Sequence, residues 1–181
     1  MSKGIIKGFP KDAVLGAAGI KMLSLQESAF ILGNAYTHSD YDLDIADSAV
    51  IDFLFDPTAC TCDQLVAEVP LFNATGGPVT IEFFSAPTVT LNGTELVSFN
   101  RRAVPKVAEA KLYKGPTLSD PGTRFSGLLL PATAAAQGNT GDQTIQGLPF
   151  EVDLAIKVLI RVTNLNGAGV DIGRRFDWVE S

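Results

Sequence analysis

Three groups of residues in this chain have the types and spacing to do chemistry. Cys60 and Cys62 form a C-x-C pair, His38 is the single histidine, and Asp40, Asp42, Asp44 and Asp47 follow it closely. A zinc site needs four ligands. One imidazole and two thiolates would leave a carboxylate to complete the set, and there is no second cysteine pair, so no zinc site is expected. Two cysteines cannot build a disulfide framework either, and they read as reduced thiols near the start of a strand. The aspartate run invites a calcium reading. An EF-hand loop places glycine at its sixth position and a carboxylate at its twelfth; counting from Asp40 puts Ile45 and Ile51 there. The EF-hand is rejected, other calcium geometries stay open, and the simpler reading is a strand whose acidic outer face resists edge pairing.

Nucleophilic and phosphate chemistry find less support. The chain has no G-x-S-x-G, no Walker loop and no G-x-G-x-x-G, the spacings that expose a serine or cradle a phosphate. Gly167-Ala168-Gly169 precedes a strand pattern and reads as a turn. A histidine-dependent triad could use only His38. Acid pairs are plentiful enough for a glycosidase dyad, and Trp178 or Tyr113 could stack on a sugar. Trp178 shares strand parity with Ile172 and Phe176, however, which marks it as core. Arg101-Arg102 and Arg174-Arg175 could grip phosphate or carboxylate groups bidentately. Solvated strand-end charges or intersubunit salt bridges explain them more simply. The expectation is a protein with no catalytic residue, no metal and no cofactor.

The elements that must position these residues are strands. Tyr41, Leu43 and Ile45 alternate with aspartates, and residues 49–55, 65–72, 79–84, 95–99, 108–113 and 124–130 are further strand candidates. The longest alternation runs through Phe150, Val152, Leu154, Ile156, Val158, Ile160 and Val162. Turn signals separate them at Asp56-Pro57, residues 75–78, Asn92-Gly93 and residues 120–122. Many short strands with Gly/Pro-rich turns predict an all-β, antiparallel, jelly-roll-like β-sandwich over residues 36–181. Residues 1–35 read as an N-terminal extended arm. Asp12 to Leu25 has some helical spacing, but Gly16 and Gly19 each cost a helix about 1 kcal/mol relative to alanine, so at most a short helix is expected there. One internal echo stands out: PTVTLNGTEL from Pro87 and PTLSDPGTRF from Pro116 share a pattern at an offset of 29 residues. It predicts two similar glycine-turn hairpins facing each other.

Length and charge bound the function. With 181 residues, 46% of them apolar, the chain can bury a real core. No run of about 18 apolar residues exists and no secretory signal pattern is seen, so neither a membrane span nor a leader is expected. A net charge of −6 argues against a broad nucleic-acid surface. That charge is unevenly spread. Residues 1–21 carry Lys3, Lys7, Lys11 and Lys21 against Asp12. Residues 22–100 carry eleven acids and no lysine or arginine, and residues 101–125 carry six bases against two acids. Such blocks predict complementary surfaces between subunits or with a partner, or strands that neutralise one another within the fold. Lys3, Lys7, Lys11, Lys21, Arg101 and Arg102 are the candidate partner contacts.

Three motifs together carry a likeness. They are Gly93-Thr94-Glu95-Leu96-Val97-Ser98-Phe99-Asn100-Arg101, the element Pro116 to Thr123, and Leu159 to Gly167 with the closing Asp177-Trp178-Val179-Glu180. Over about residues 48–181 the chain resembles a family of small virion structural proteins of tailed bacteriophages, of the head-decoration or cement type. Where that family has a polar run after the Asn-Arg, this chain has Arg102-Ala103-Val104-Pro105. Its first 35 residues lie outside the pattern. The resemblance implies a jelly-roll-like sandwich, made in the host cytoplasm, that binds the major capsid protein on the outer surface of the capsid. It implies self-association as a dimer or trimer, and nothing catalytic. A tail, adaptor or receptor-binding virion protein and a carbohydrate-binding sandwich module are the alternative expectations.

Overall fold

The computed structural model describes residues 13–16, 19–22, 32–68, 70–102, 106–131 and 150–181. Among these the chain is all-β, with sixteen strands paired antiparallel in a β-sandwich. One sheet holds β3 (Ala35–Ile45), β5 (Leu65–Ala67), β6 (Leu71–Thr75), β10 (Phe99–Asn100), β14 (Phe150–Glu151) and β16 (Val170–Glu180). Its order is β10-β3-β16-β5-β14, with β6 also on β16. The second sheet holds β4 (Val50–Asp56), β7 (Val79–Ser85), β9 (Thr94–Leu96), β11 (Lys111–Lys114), β13 (Thr123–Leu130) and β15 (Val158–Asn164), in the order β13-β7-β15-β4-β11-β9. Two small ribbons complete the fold, β1 (Ala13–Gly16) with β2 (Gly19–Met22) and β8 (Thr88–Leu91) with β12 (Thr117–Asp120).

Aromatic side chains join the sheets. Phe176 of the first sheet lies 5.6 Å, centroid to centroid, from Phe53 of the second, and Trp178 lies 5.6 Å from Phe55. Ile160, Phe53 and Phe83 sit side by side on the inner face of the second sheet, followed by Val162, Ile51 and Ile81. Trp178 is buried, as its parity with Ile172 and Phe176 predicts.

Several sequence expectations need correction. The helical spacing after Asp12 is instead the hairpin β1–β2, consistent with the helix-weakening glycines at 16 and 19. The long alternation from Phe150 is two strands in different sheets. Asp153 breaks it: its carboxylate accepts from the Ala155 N–H at 2.9 Å and its carbonyl from the Ile156 N–H at 3.0 Å, which closes a turn. The 95–99 strand also divides, into β9 of the second sheet and β10 of the first. At the crossing the Val97 carbonyl accepts a hydrogen bond from His38 Nδ1 at 2.8 Å.

The echo segments are not closed hairpins. β8 pairs with β12 of the other echo, while β9 joins β11 and β13 joins β7. The arrangement is reciprocal under the 29-residue offset. Thr90 Oγ1 donates to the Thr117 carbonyl, and Ser119 Oγ donates to the Thr88 carbonyl. Gly93 (φ +90°) packs on Lys114-Gly115, and Gly122 (φ +87°) packs on Ser85 to Pro87, so neither turn has room for a side chain. Ala86 and Gly115, also equivalent, both take positive φ where the chain leaves the sheet. The ribbon leaves the second sheet at β7 and at β11, which flank β15 and β4. The outward Leu54 and Leu159 of those two flanked strands are fully buried.

The arm and domain meet at firmly tied residues. Asn100 Nδ2 donates to the Gly33 carbonyl, Glu180 N to the Asn34 carbonyl, and Arg101 N to the Ala35 carbonyl. Residues 1–12 and 23–31 of the expected arm lie outside the described residues.

Candidate interface

The aspartate-rich strand β3 has the opposite phase to the one its alternation predicts. Tyr36, His38, Asp40 and Asp42 face the same side as Trp178, Phe176, Arg174 and Ile172, their partners on β16. That side is the interior. Tyr41 and Leu43 point outward, 66% and 65% exposed. The acidic outer face expected for this strand is therefore an apolar one. The cause is Arg174, whose side chain is 1% exposed. It donates to Asp42 Oδ2 and, at 3.0 Å, to Asp40 Oδ2, with its guanidinium 4.7 Å from the Phe53 ring centroid. Lys114, from the second sheet, pairs with the other oxygen of Asp42. A buried arginine requires carboxylates or other acceptors arranged around it, and that requirement turns the aspartates inward. Asp44, at φ +49° beside a register shift, then resets the phase and returns Ile45 to the core.

The outer side of the first sheet is assembled from three strands. Phe99 faces Thr37, Arg175 faces Ser39, and Gly173 faces Tyr41, so these residues share the outward side with Leu43. Phe99 is 61% exposed. Arg101 and Arg102 follow β10 directly and are exposed at the end of this row. Arg102 N donates to Asn100 Oδ1, which fixes the turn carrying the pair. Two of the six expected contacts, Arg101 and Arg102, thus stand beside an exposed aromatic and aliphatic row. Lys21 lies on β2, opposite Val14. Lys3, Lys7 and Lys11 fall outside the described residues. Arg174 and Arg175 lie within β16, not at a strand end. Arg174 is buried as above, and Arg175 Nε lies 2.8 Å from Asp177 Oδ2.

Sequence reasoning missed Phe99, Tyr41 and Leu43 as surface residues. The signal was present in β16: Arg174 has the parity of Ile172, Phe176 and Trp178, so it had to be buried and had to claim acids from a neighbouring strand.

Three of the six bases in residues 101–125 pair with acids of the acidic block within the fold. Lys111 pairs with Glu95, Lys114 with Asp42, and Arg124 with Glu82. Arg161 forms a two-pronged pair with Asp52, both contacts at 2.8 Å, and this hydrogen bonding raises its pKa despite partial burial. Lys157 lies 2.7 Å from Asp56. Burial by itself would raise the Asp56 carboxyl, but hydrogen bonds from Lys157 and Thr58 outweigh it and hold the group below the ordinary carboxylate value.

The remaining candidate groups are engaged structurally. His38 is buried, its ring tilted against Phe176. Cys60 and Cys62 are not free thiols: their Cα atoms lie 5.4 Å apart, within disulfide reach, and they are bonded. Thr61 between them donates from its N–H and hydroxyl to Glu109. Buried Glu180 accepts from the N–H groups of Glu109 and Ala110 and from Trp178 Nε1. Burial, together with Glu180, pushes the Tyr36 phenol up to about 12. Among the described residues no three His, Cys, Asp or Glu side chains converge on a metal position, and no helix is long and apolar enough to cross a membrane.

No protein-family model and no curated protein matches the chain. The geometry of its surface is therefore the basis for a functional reading.

Proposed function

We propose that this chain is a non-enzymatic virion structural protein of a tailed bacteriophage, one that decorates the outer surface of the capsid and cements it by binding the major capsid protein. The observation that carries the proposal is the outward row of Phe99, Tyr41 and Leu43, closed at one end by Arg101 and Arg102. Aromatic side chains and arginine are the residue types enriched at protein interfaces. Here they stand on a stiff sheet whose opposite face is locked into the core. The motif resemblance supplies the partner and the jelly-roll-like connectivity. The basic arm, with Lys3, Lys7, Lys11 and Lys21, provides a second contact that reaches over neighbouring shell subunits. A repeating lattice amplifies modest contacts of this kind through multivalency, and self-association of the chain adds to it.

The test is co-sedimentation with empty shells that lack the protein, followed by electron microscopy of the pellet. Regular added density on the head lattice is the expected result. Shells that remain bare overturn the reading. Binding to tails would then point to an adaptor or receptor-binding role, and binding to glycans to a sugar-binding module.

A further inference from the structure

We infer that β13 is a homodimerisation edge, at which two copies of this chain pair antiparallel to form one continuous sheet. β13 ends the second sheet, and among the described residues nothing pairs with its outer side. Eight residues long, it exceeds the other terminal strands, β6 with five residues, β9 with three, and β10 and β14 with two each; the stretch of β3 beyond its pairing with β10 is also an edge, but it carries the charges of Asp40, Asp42 and Asp44. β13 shows large exposed apolar side chains, Phe125 and Leu129, the latter 59% exposed.

Natural edge strands are guarded by charge, proline, a bulge or brevity. The start of β13 has such a guard in the register shift between Arg124 and Ser126. The rest, Ser126-Gly127-Leu128-Leu129-Leu130, contains neither charge nor proline. Arg124, the one charged residue of the strand, is paired with Glu82 at 3.1 Å and lies over Gly127. The edge is thus neutral on a chain of net charge −6, and two copies can approach here without like charges meeting.

A second copy is the occupant this edge fits. An antiparallel pair about a two-fold axis keeps inward residues against inward residues. Centred on Leu128, it sets Leu128 against Leu128 of the partner subunit and Leu130 against Ser126 of the partner subunit. Leu128 already packs on the core and Leu130 is buried, so the pairing prolongs the apolar inner layer. On the outer side Leu129 meets Gly127 of the partner subunit, where it packs against the flat guanidinium that each chain's Arg124 lays over its own Gly127.

The inference is independent of shell binding: a chain that dimerised but ignored shells would retain it, and one that coated shells as a monomer would lose it. The experiment is sedimentation of the full chain across the micromolar range, with hydrogen exchange of the β13 amides at the two ends of that range. A dimer is expected, with those Ser126–Leu130 amides that point away from β7 protected only in the concentrated sample. Leu129→Lys should weaken association by at least about tenfold. Leu91→Lys, equally exposed but on β8, should leave it unchanged. Circular dichroism checks that both variants are folded, and the exchange experiment on the unmodified chain tests the edge even if a variant is not. A monomer at every concentration, a trimer, or a dimer with these β13 amides unprotected would overturn the inference.

Discussion

The two sheets solve the same packing problem with opposite distributions of charge. In the second sheet the interior rows are apolar, and the charged ladder of Asp52, Arg161 and Glu82 faces out. In the first, a charged cluster of Arg174, Asp40 and Asp42 sits on the interior side, and Tyr41, Leu43 and Phe99 face out. Stability alone does not call for the second arrangement, since a buried ion pair is often no better than apolar side chains of similar volume. What the inversion accomplishes is to free an outward apolar row on a rigid strand, and that row is where we place the partner.

The comparison can be broken most directly at the two arginines. Arg174→Met should cost about 3 kcal/mol in denaturant unfolding, because it removes the buried cation that pairs with the largely buried Asp42 and the half-exposed Asp40. A loss near zero would mean that the interior cluster is not holding the sheet. The acid limb of stability tests the second sheet. Asp56 titrates below its ordinary value of 3.8 when folded, so the unfolded chain binds more protons between the two values. The stabilisation is complete above the ordinary value and is lost as pH falls through the folded one. Asp56→Asn should therefore flatten the stability–pH slope below about pH 4, and an unchanged slope would remove the Lys157–Asp56 contact from the account. Arg161→Met, its fork with Asp52 only partly buried, should cost less, about 1 kcal/mol. A loss equal to that of Arg174→Met would erase the distinction between the sheets. The smallest expected change is in the double variant Tyr41→Asp, Phe99→Asp. Both side chains are exposed, so its stability should stay within about 0.5 kcal/mol of the parent, measured by the same unfolding curves. Marked destabilisation would show the row to be structural rather than free for a partner.

The strands were more legible in the sequence than their orientation or pairing. β7 declares itself because Ile81 stands between polar Thr80 and Glu82, and β4 and β15 because Phe53 and Ile160 sit in short, mostly apolar runs bounded by turn signals. β3 misleads by the same rule: alternation fixes which residues share a face but not which face is buried, and Arg174, more than a hundred residues away, decides that. The break at Asp153 depends on one side chain capturing the Ala155 N–H, a local competition that period counting does not register. The echo at Pro87 and Pro116 was visible as a device. Its exchange of strands was not, because a short repeat looks the same whether each copy pairs with itself or with the other. Of the candidate contacts, Arg101 and Arg102 were singled out by their charge alone. Phe99, beside them, was hidden because an exposed aromatic in a strand pattern looks like any core position.

The most direct test of the central claim is an electron-microscopic map of shells coated with this protein, with the sandwich fitted as a rigid body. The account predicts that the outer side of β3 and β10, with Tyr41, Leu43, Phe99, Arg101 and Arg102, meets the major capsid protein. It also predicts that the Tyr41→Asp, Phe99→Asp variant leaves the shells bare. A map in which the β8–β12 ribbon or the second sheet faces the shell, or coating that persists in the double variant, would contradict it.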